Sequence, residues 1–315
     1  MTEKVLKLKE LRPEEVPAAL RAESYFDFKA HPFTHQALFE QTKSVYDAIL
    51  GINAYALSWL ELETAQRRKA AATVISDRSP VASTVVRGTF EVIIEVGAVF
   101  EPARILGNEQ GKRHAIIVAA GARVIGCDLD VDKGGIFIGR GTVVEPLATI
   151  KGPTVVGDKT EIRSGAYLRG DCILGNGCTI RGEIKNAVMM DKANFPHPSY
   201  VGDSACGYMT HFGNQATAAN LGIYEGLREA DKRRNIIVRV DGKAIDLGKP
   251  KMGICMGDFS QVGCNSVADP ATFLGPYTIV YSLTRIPKGF YGPREVLKNK
   301  PLEHGVIERA PLEPV

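Results

Sequence analysis

An all-β fold, a left-handed parallel β-helix with a small helical appendage at the N-terminus, follows from three observations on this 315-residue sequence. The first is a period of six. Ile138, Val144, Ile150, Val156, Ile162, Leu168, Leu174 and Ile180 are all aliphatic. Chance would put eight such residues in phase about once in tens of thousands of trials. The second is a small residue four positions after each of the first seven: Thr142, Ala148, Thr154, Thr160, Ala166, Cys172 and Cys178. The third is glycine: 32 residues, about a tenth of the chain against an ordinary ~7%.

Period six fits neither a helix nor a simple alternating strand. It fits a triangular solenoid, in which a short strand and a turn send one aliphatic side chain inward per face. Small residues fill the tight corners, and glycine gives the turns their backbone freedom. Hexads of the form [LIV]-G-x-x-[STAVC]-x mark the left-handed parallel β-helix. The phase returns at Met256, Val262, Ala268, Leu274, Val280 and Ile286, with Ser260, Ser266, Thr272, Thr278 and Thr284 at the small position. In this frame Cys172 and Cys178 are stacked core residues, not a redox pair. Gly139-Arg140-Gly141 and Gly175-Asn176-Gly177 are corners, not a dinucleotide loop.

The flanks differ. Within residues 1–80, Leu38, Val45, Ile49, Leu57 and Leu60 fall at roughly helical spacing, so one or two helices are expected. Pro80 and the β-rich text after it mark a boundary. The β-helix is expected over 81–290 and an extended tail over 291–315. Between Ile180 and Met256 the phase is interrupted, surviving only at Cys206, Phe212 and Ala218. An inserted loop and hairpin are expected at about 221–250, with Asp241-Gly242 as the hairpin turn. Interruptions of a regular scaffold are where function concentrates.

Composition excludes several classes. Thirty-nine basic against 36 acidic residues give no nucleic-acid or anionic-membrane footprint. No run approaches the ~18 apolar residues of a membrane span, and the first residues lack the apolar stretch of a signal peptide. A soluble, cytoplasmic protein is expected.

The strings AYLRGDCILGNG, EIKNAVMMDKANFPHPSYVGDSACG and ATAANL resemble the acetyltransferase domain of bifunctional glucosamine-1-phosphate acetyltransferase/N-acetylglucosamine-1-phosphate uridylyltransferase. They are closer still to the sugar-phosphate nucleotidyltransferases that carry the same β-helical half. The resemblance covers about residues 130–290. It implies an acyltransferase that moves an acetyl group from acetyl-CoA to the amine of a hexosamine phosphate or nucleotide sugar, working as a homotrimer and requiring no metal for acyl transfer. It puts His197 at the general base and Tyr200 beside it as the second catalytic position. It assigns Arg169 and Lys185 to the sugar phosphate, His211, Asn220 and Lys251 to further substrate contacts, and Asn214 and Cys264 to the coenzyme.

This chain departs from the family at three points. His211 stands where an asparagine is usual, and Cys264 where a serine is usual. No G-x-G-T-R-x-x-P loop occurs in residues 1–100, so nucleotidyl transfer is not expected. A neutral imidazole suits the base role, because its ordinary pKa of about 6.5 leaves it able to take a proton at neutral pH. A backbone N–H in the Phe212–Gln215 turn is a candidate oxyanion donor. Two alternatives compete. A zinc enzyme on the same solenoid needs a histidine-rich ligand set; His31 and His35 lie in the appendage, and His197 with His211 lacks an evident third. A non-catalytic trimeric scaffold related to the sugar-phosphate nucleotidyltransferases fits the missing loop and the change at His211.

Overall fold

The computed structural model describes residues 4–70, 73–76, 83–299 and 307–311. By its internal contacts the chain divides into two compact units, residues 51–198, and residues 1–50 together with 199–315. His304 lies outside the described residues.

In the 51–198 unit, short parallel strands form three ladders. One runs through Phe90–Ile94, His114–Val118, Ile136–Ile138, Thr154–Val156, Cys172–Leu174 and the second half of Glu183–Met189. A second runs through Val85–Arg87, Arg104–Leu106, Asp128–Asp130, Thr149–Lys151, Tyr167–Leu168 and the first half of Glu183–Met189. The third runs from Val99–Glu101 to Asn194–Phe195. Ile136 pairs with Thr154, and Thr154 with Cys172, each step covering three hexads, so three hexads make one coil. This is the left-handed parallel β-helix that the hexads predict. All eight phased aliphatic residues are 0–1% exposed, and so are the seven small ones. Two corner hydroxyls are satisfied by the next coil: Thr142 Oγ1 donates to the Gly157 carbonyl at 2.7 Å and Thr160 Oγ1 to that of Gly175 at 2.8 Å. Burial pushes the Cys172 and Cys178 thiols up to about 12, which suits inert core residues.

A helix over Val45–Ala70 is the main helical element. Its buried positions, Val45, Ile49, Ile52, Ala56 and Leu60, recur at steps of three and four. Ser44 Oγ caps its start by accepting the Asp47 N–H at 3.1 Å, and Arg67, Arg68 and Lys69 in its last turn complement the helix dipole. Within the 51–198 unit, Leu60 and Trp59 pack on Ile93, Ile117, Phe137 and Val155, with Trp59 edge-on to Phe137 at 5.1 Å. Arg67 pairs with Glu63 at 2.6 Å and also with Glu95, and Arg68 Nε donates to Glu91 at 2.9 Å. Although 26 residues long, this helix is not apolar enough to cross a membrane, nor is any other among the described residues.

In the other unit, residues 8–24 form 3-10 turns ahead of a short helix at Ala37–Glu40. The coils resume with Cys206 opposite Met256, Phe212 opposite Val262 and Ala218 opposite Ala268. Each of these pairs is separated by one regular coil plus a single long insertion. Later partners, Ile254 with Thr272 and Gln261 with Ile279, return to the three-hexad step. An antiparallel bridge between Leu221 and Lys251 closes the base of the insertion. Within it Ile237–Val240 and Lys243–Asp246 form an antiparallel hairpin, and Asp241 and Gly242 both take positive φ at its turn. The second hairpin strand pairs in parallel with Val5–Lys7, so the N-terminal residues complete a three-stranded sheet.

Candidate acyltransferase site

Each unit holds part of the residue set that the sequence singles out. In the 51–198 unit a cavity of about 330 Å³ is lined by Arg169 and Lys185 together with Asn53, Lys133, Lys151 and Tyr167. Tyr167 opposes Glu183 and Leu168 opposes Ile184, so the next step of the register sets Arg169 beside Lys185 on successive coils. Arg169 Nη1 donates to Glu183 at 2.7 Å, whereas Lys185 has no ion pair among the described residues. Asn53, from the long helix, donates to Asp171 Oδ1 at 2.6 Å. His197 lies at the end of this unit, on the turn after Asn194–Phe195. It is half-buried, and its imidazole makes no hydrogen bond or ion pair among the described residues.

In the other unit Tyr200 and Asn220 meet. Asn220 Nδ2 donates to Tyr200 Oη at 2.9 Å and also to the buried Asp203 carboxylate. The cluster is tight enough to need a glycine: a Cβ on Gly202 would fall 2.1 Å from Tyr200 Oη and 3.1 Å from Asn220 Nδ2. His211 begins the short strand His211–Phe212 and is half-buried opposite Gln261. Asn214 and Cys264 share one corner on adjacent coils. Asn265 N–H donates to the Asn214 carbonyl at 2.9 Å, and a Cβ on Gly213 would lie 2.9 Å from Cys264 Sγ. Cys264 is the exposed cysteine of the six. In the Phe212–Gln215 turn, Gly213 N–H is taken by Val262, while the N–H groups of Asn214 and Gln215 have no backbone acceptor among the described residues. Lys251 is half-buried at the insertion base, its carbonyl accepting from Tyr46 Oη at 3.1 Å. Burial pushes the Tyr46 phenol well above its ordinary range, so it remains a donor.

A second cavity in this unit, about 810 Å³, is walled by Leu221, Ile223, Tyr224 and Ile237 of the insertion, with Arg239 and Lys288 on its rim. Among the described residues, no three His, Cys, Asp or Glu side chains gather as metal ligands.

No family model matches the chain. It is 32% identical over 158 residues to the bifunctional sugar-1-phosphate nucleotidylyltransferase/acetyltransferase of Sulfurisphaera tokodaii, across 44% of this chain and 37% of that protein. It is 29% identical over 177 residues to the uncharacterized acetyltransferase YaiX of Escherichia coli, across 54% of this chain and 73% of that one. The chain carries the hexapeptide-repeat β-helix of these acetyltransferases. The UDP-N-acetylglucosamine acyltransferase from Campylobacter jejuni aligns over 66% of this chain and 72% of its own at 14% identity and a TM-score of 0.31. The chain spans little more than a third of the Sulfurisphaera protein's length.

Sequence reasoning missed Lys133, Lys151 and Asn53 in this hexapeptide-repeat β-helix. A signal was present for Lys151, which stands three hexads and one coil before Arg169; Lys133 carried none, because the preceding coil is three residues longer and sets Asp130 opposite Lys151. Asn53 carried no such signal, because its place depends on how the helix packs.

Proposed function

We propose that the protein is an acyltransferase that moves an acetyl group from acetyl-CoA to the amine of a hexosamine phosphate or nucleotide sugar. The observation that carries this reading is the pair Arg169 and Lys185, stacked in register in one cavity. A guanidinium fork and an ammonium point charge on adjacent coils suit a phosphate group. The relatives named as acetyltransferases support the reaction type.

In this mechanism the acceptor amine attacks the thioester carbonyl carbon. Its proton passes to the His197 imidazole as the C–N bond forms. The N–H groups of Asn214 and Gln215 stabilise the developing oxyanion. The C–S bond then breaks, and the thiolate takes the proton to leave as coenzyme A. Asn220, fixed between Tyr200 and Asp203, orients a sugar hydroxyl, while His211 and Lys251 add acceptor contacts. Asn214 and Cys264 meet the coenzyme at their shared corner. A homotrimer is part of this reading, with coenzyme A in the groove between neighbours.

The test is release of free thiol from acetyl-CoA by the purified protein with glucosamine 1-phosphate or UDP-glucosamine, beside His197→Ala. Acceptor-dependent release that drops ~10²–10⁴-fold in the variant is expected. Release untouched by His197→Ala would remove the base assignment and keep the class. A folded protein releasing no thiol with either acceptor would remove the acyltransferase reading.

A further inference from the structure

The cations of the 330 Å³ cavity form a ladder longer than one phosphate requires. Lys151 opposes Asp130, and the registers Ile150 to Leu168 and Leu168 to Ile184, carried one residue on, stack Lys151, Arg169 and Lys185 on three successive coils. Neighbouring strands lie about 4.8 Å apart, so the three rungs span roughly 10 Å. Like charges directly opposite one another on paired strands oppose folding. Carboxylates relieve only part of that repulsion. Asp130 lies 3.6 Å from Lys151, and Glu183 pairs with Arg169 at 2.7 Å. Lys185 has no ion pair among the described residues, and neither has Lys133, which lines the same cavity. Of the three aspartates that line the cavity, Asp130, Asp132 and Asp171, the last has one carboxylate oxygen occupied by Asn53. The long helix thereby weakens its claim on the cations. The Tyr167 ring, 5.9 Å from Lys151 Nζ, adds an aromatic surface beside the ladder.

We propose that the acceptor is a nucleoside-diphosphate sugar, its diphosphate lying along Lys151, Arg169 and Lys185. This deepens the acceptor-site reading above and rests on it. A sugar monophosphate would occupy the Arg169–Lys185 end and leave Lys151 unused. A diphosphate uses all three rungs, and the site selects it through Lys151.

Titration calorimetry with UDP-glucosamine and with glucosamine 1-phosphate separates the cases, using wild type, Lys151→Gln and Arg169→Gln, each checked for an unchanged melting temperature. UDP-glucosamine is expected to bind at least ~10-fold more tightly than the monophosphate. Lys151→Gln should weaken UDP-glucosamine ~10-fold and glucosamine 1-phosphate less than ~3-fold, the loss of one charge-assisted contact. Arg169→Gln should weaken both. Equal affinity for the two probes, or a Lys151→Gln effect that does not distinguish them, overturns the diphosphate assignment while leaving the acceptor site intact if Arg169→Gln still weakens both. Indifference of both probes to Arg169→Gln, or no binding of either by wild type, overturns the acceptor-site reading and the diphosphate with it.

Discussion

The repeating coils and the non-repeating segments bury polar groups in opposite ways. Inside the coils the buried polar side chains are mostly threonine and serine hydroxyls, many of which donate to a nearby carbonyl, as Thr160 does to Gly175 and Ser260 to Gly275. In the phased interior the Cys172 and Cys178 thiols are pushed up by burial. The non-repeating parts bury groups that titrate, as do a few coil positions outside the phased interior, such as Glu91 and the corner residue Asp258. His35 in the N-terminal segment is 3% exposed, and Asp203 in the interrupted coil is 7% exposed and fixed to Asn220. A repeat solves one packing problem many times with neutral residues. The segments that leave it must satisfy charged groups one by one, and the residues assigned to catalysis and acceptor binding lie there or at the coil corners. The coils should therefore carry stability, and the interruptions pH sensitivity and chemistry.

The strongest way to break that comparison is to empty one rung of the coil interior. Ile162 is fully buried between Val144 and Ile180 in its ladder. Ile162→Ala should cost about 2–5 kcal/mol in denaturant unfolding, since rigid neighbouring coils on both sides cannot collapse into the space. Activity per folded molecule should be unchanged. A loss below ~1 kcal/mol would mean that the coils relax freely and do not carry the stability.

The hexad positions were legible because every coil presents the same environment, so one rule read Ile138 through Ile180 and again Met256 through Ile286. The hairpin was legible at Asp241-Gly242, where two positive-φ residues are needed. The parallel strand that Val5–Lys7 adds to that hairpin was not, since so short a strand has no period of its own. In the candidate site, Tyr200 and Asn220 were legible only through resemblance. Their hydrogen bond depends on a coil in which Val201 opposes Ala218, one position short of the regular three-hexad step. The basic ladder hid for a related reason. Its last step, from Arg169 to Lys185, falls two positions short of three hexads, because the strand Glu183–Met189 runs on through a corner with Asn186 at positive φ.

A smaller effect sharpens the contrast from the non-repeating side. Burial lowers the His35 pKa to about 4 from 6.5, because the charged form loses its water. The folded state then binds fewer protons than the unfolded chain between those values. The stability is fully present above about pH 6.5 and is lost as the pH falls toward 4. The integrated loss is about 3 kcal/mol. Burial also raises the Asp258 pKa, which acts with the opposite sign, since a proton there favours the folded state at low pH. The contribution of His35 is therefore the difference in slope between wild type and His35→Leu, followed by denaturant unfolding from pH 7 to pH 4. Parallel slopes would show that folding does not lower the imidazole's pKa.

The least costly test for stability addresses the interrupted coil itself. Tyr200→Phe removes the Oη that accepts from Asn220 at 2.9 Å but leaves Asn220 its bond to Asp203. The expected stability loss is about 1 kcal/mol, the net worth of one such bond. If the pair only closes a turn, transferase rates should follow that small change and no more. If it holds Asn220 in place for the acceptor, kcat/KM should fall about 10-fold, because a slightly misplaced contact costs far more in a reaction than in folding. A change confined to KM would make the pair a binding contact. A fall in kcat at unchanged KM would mean that its alignment matters chiefly in the transition state.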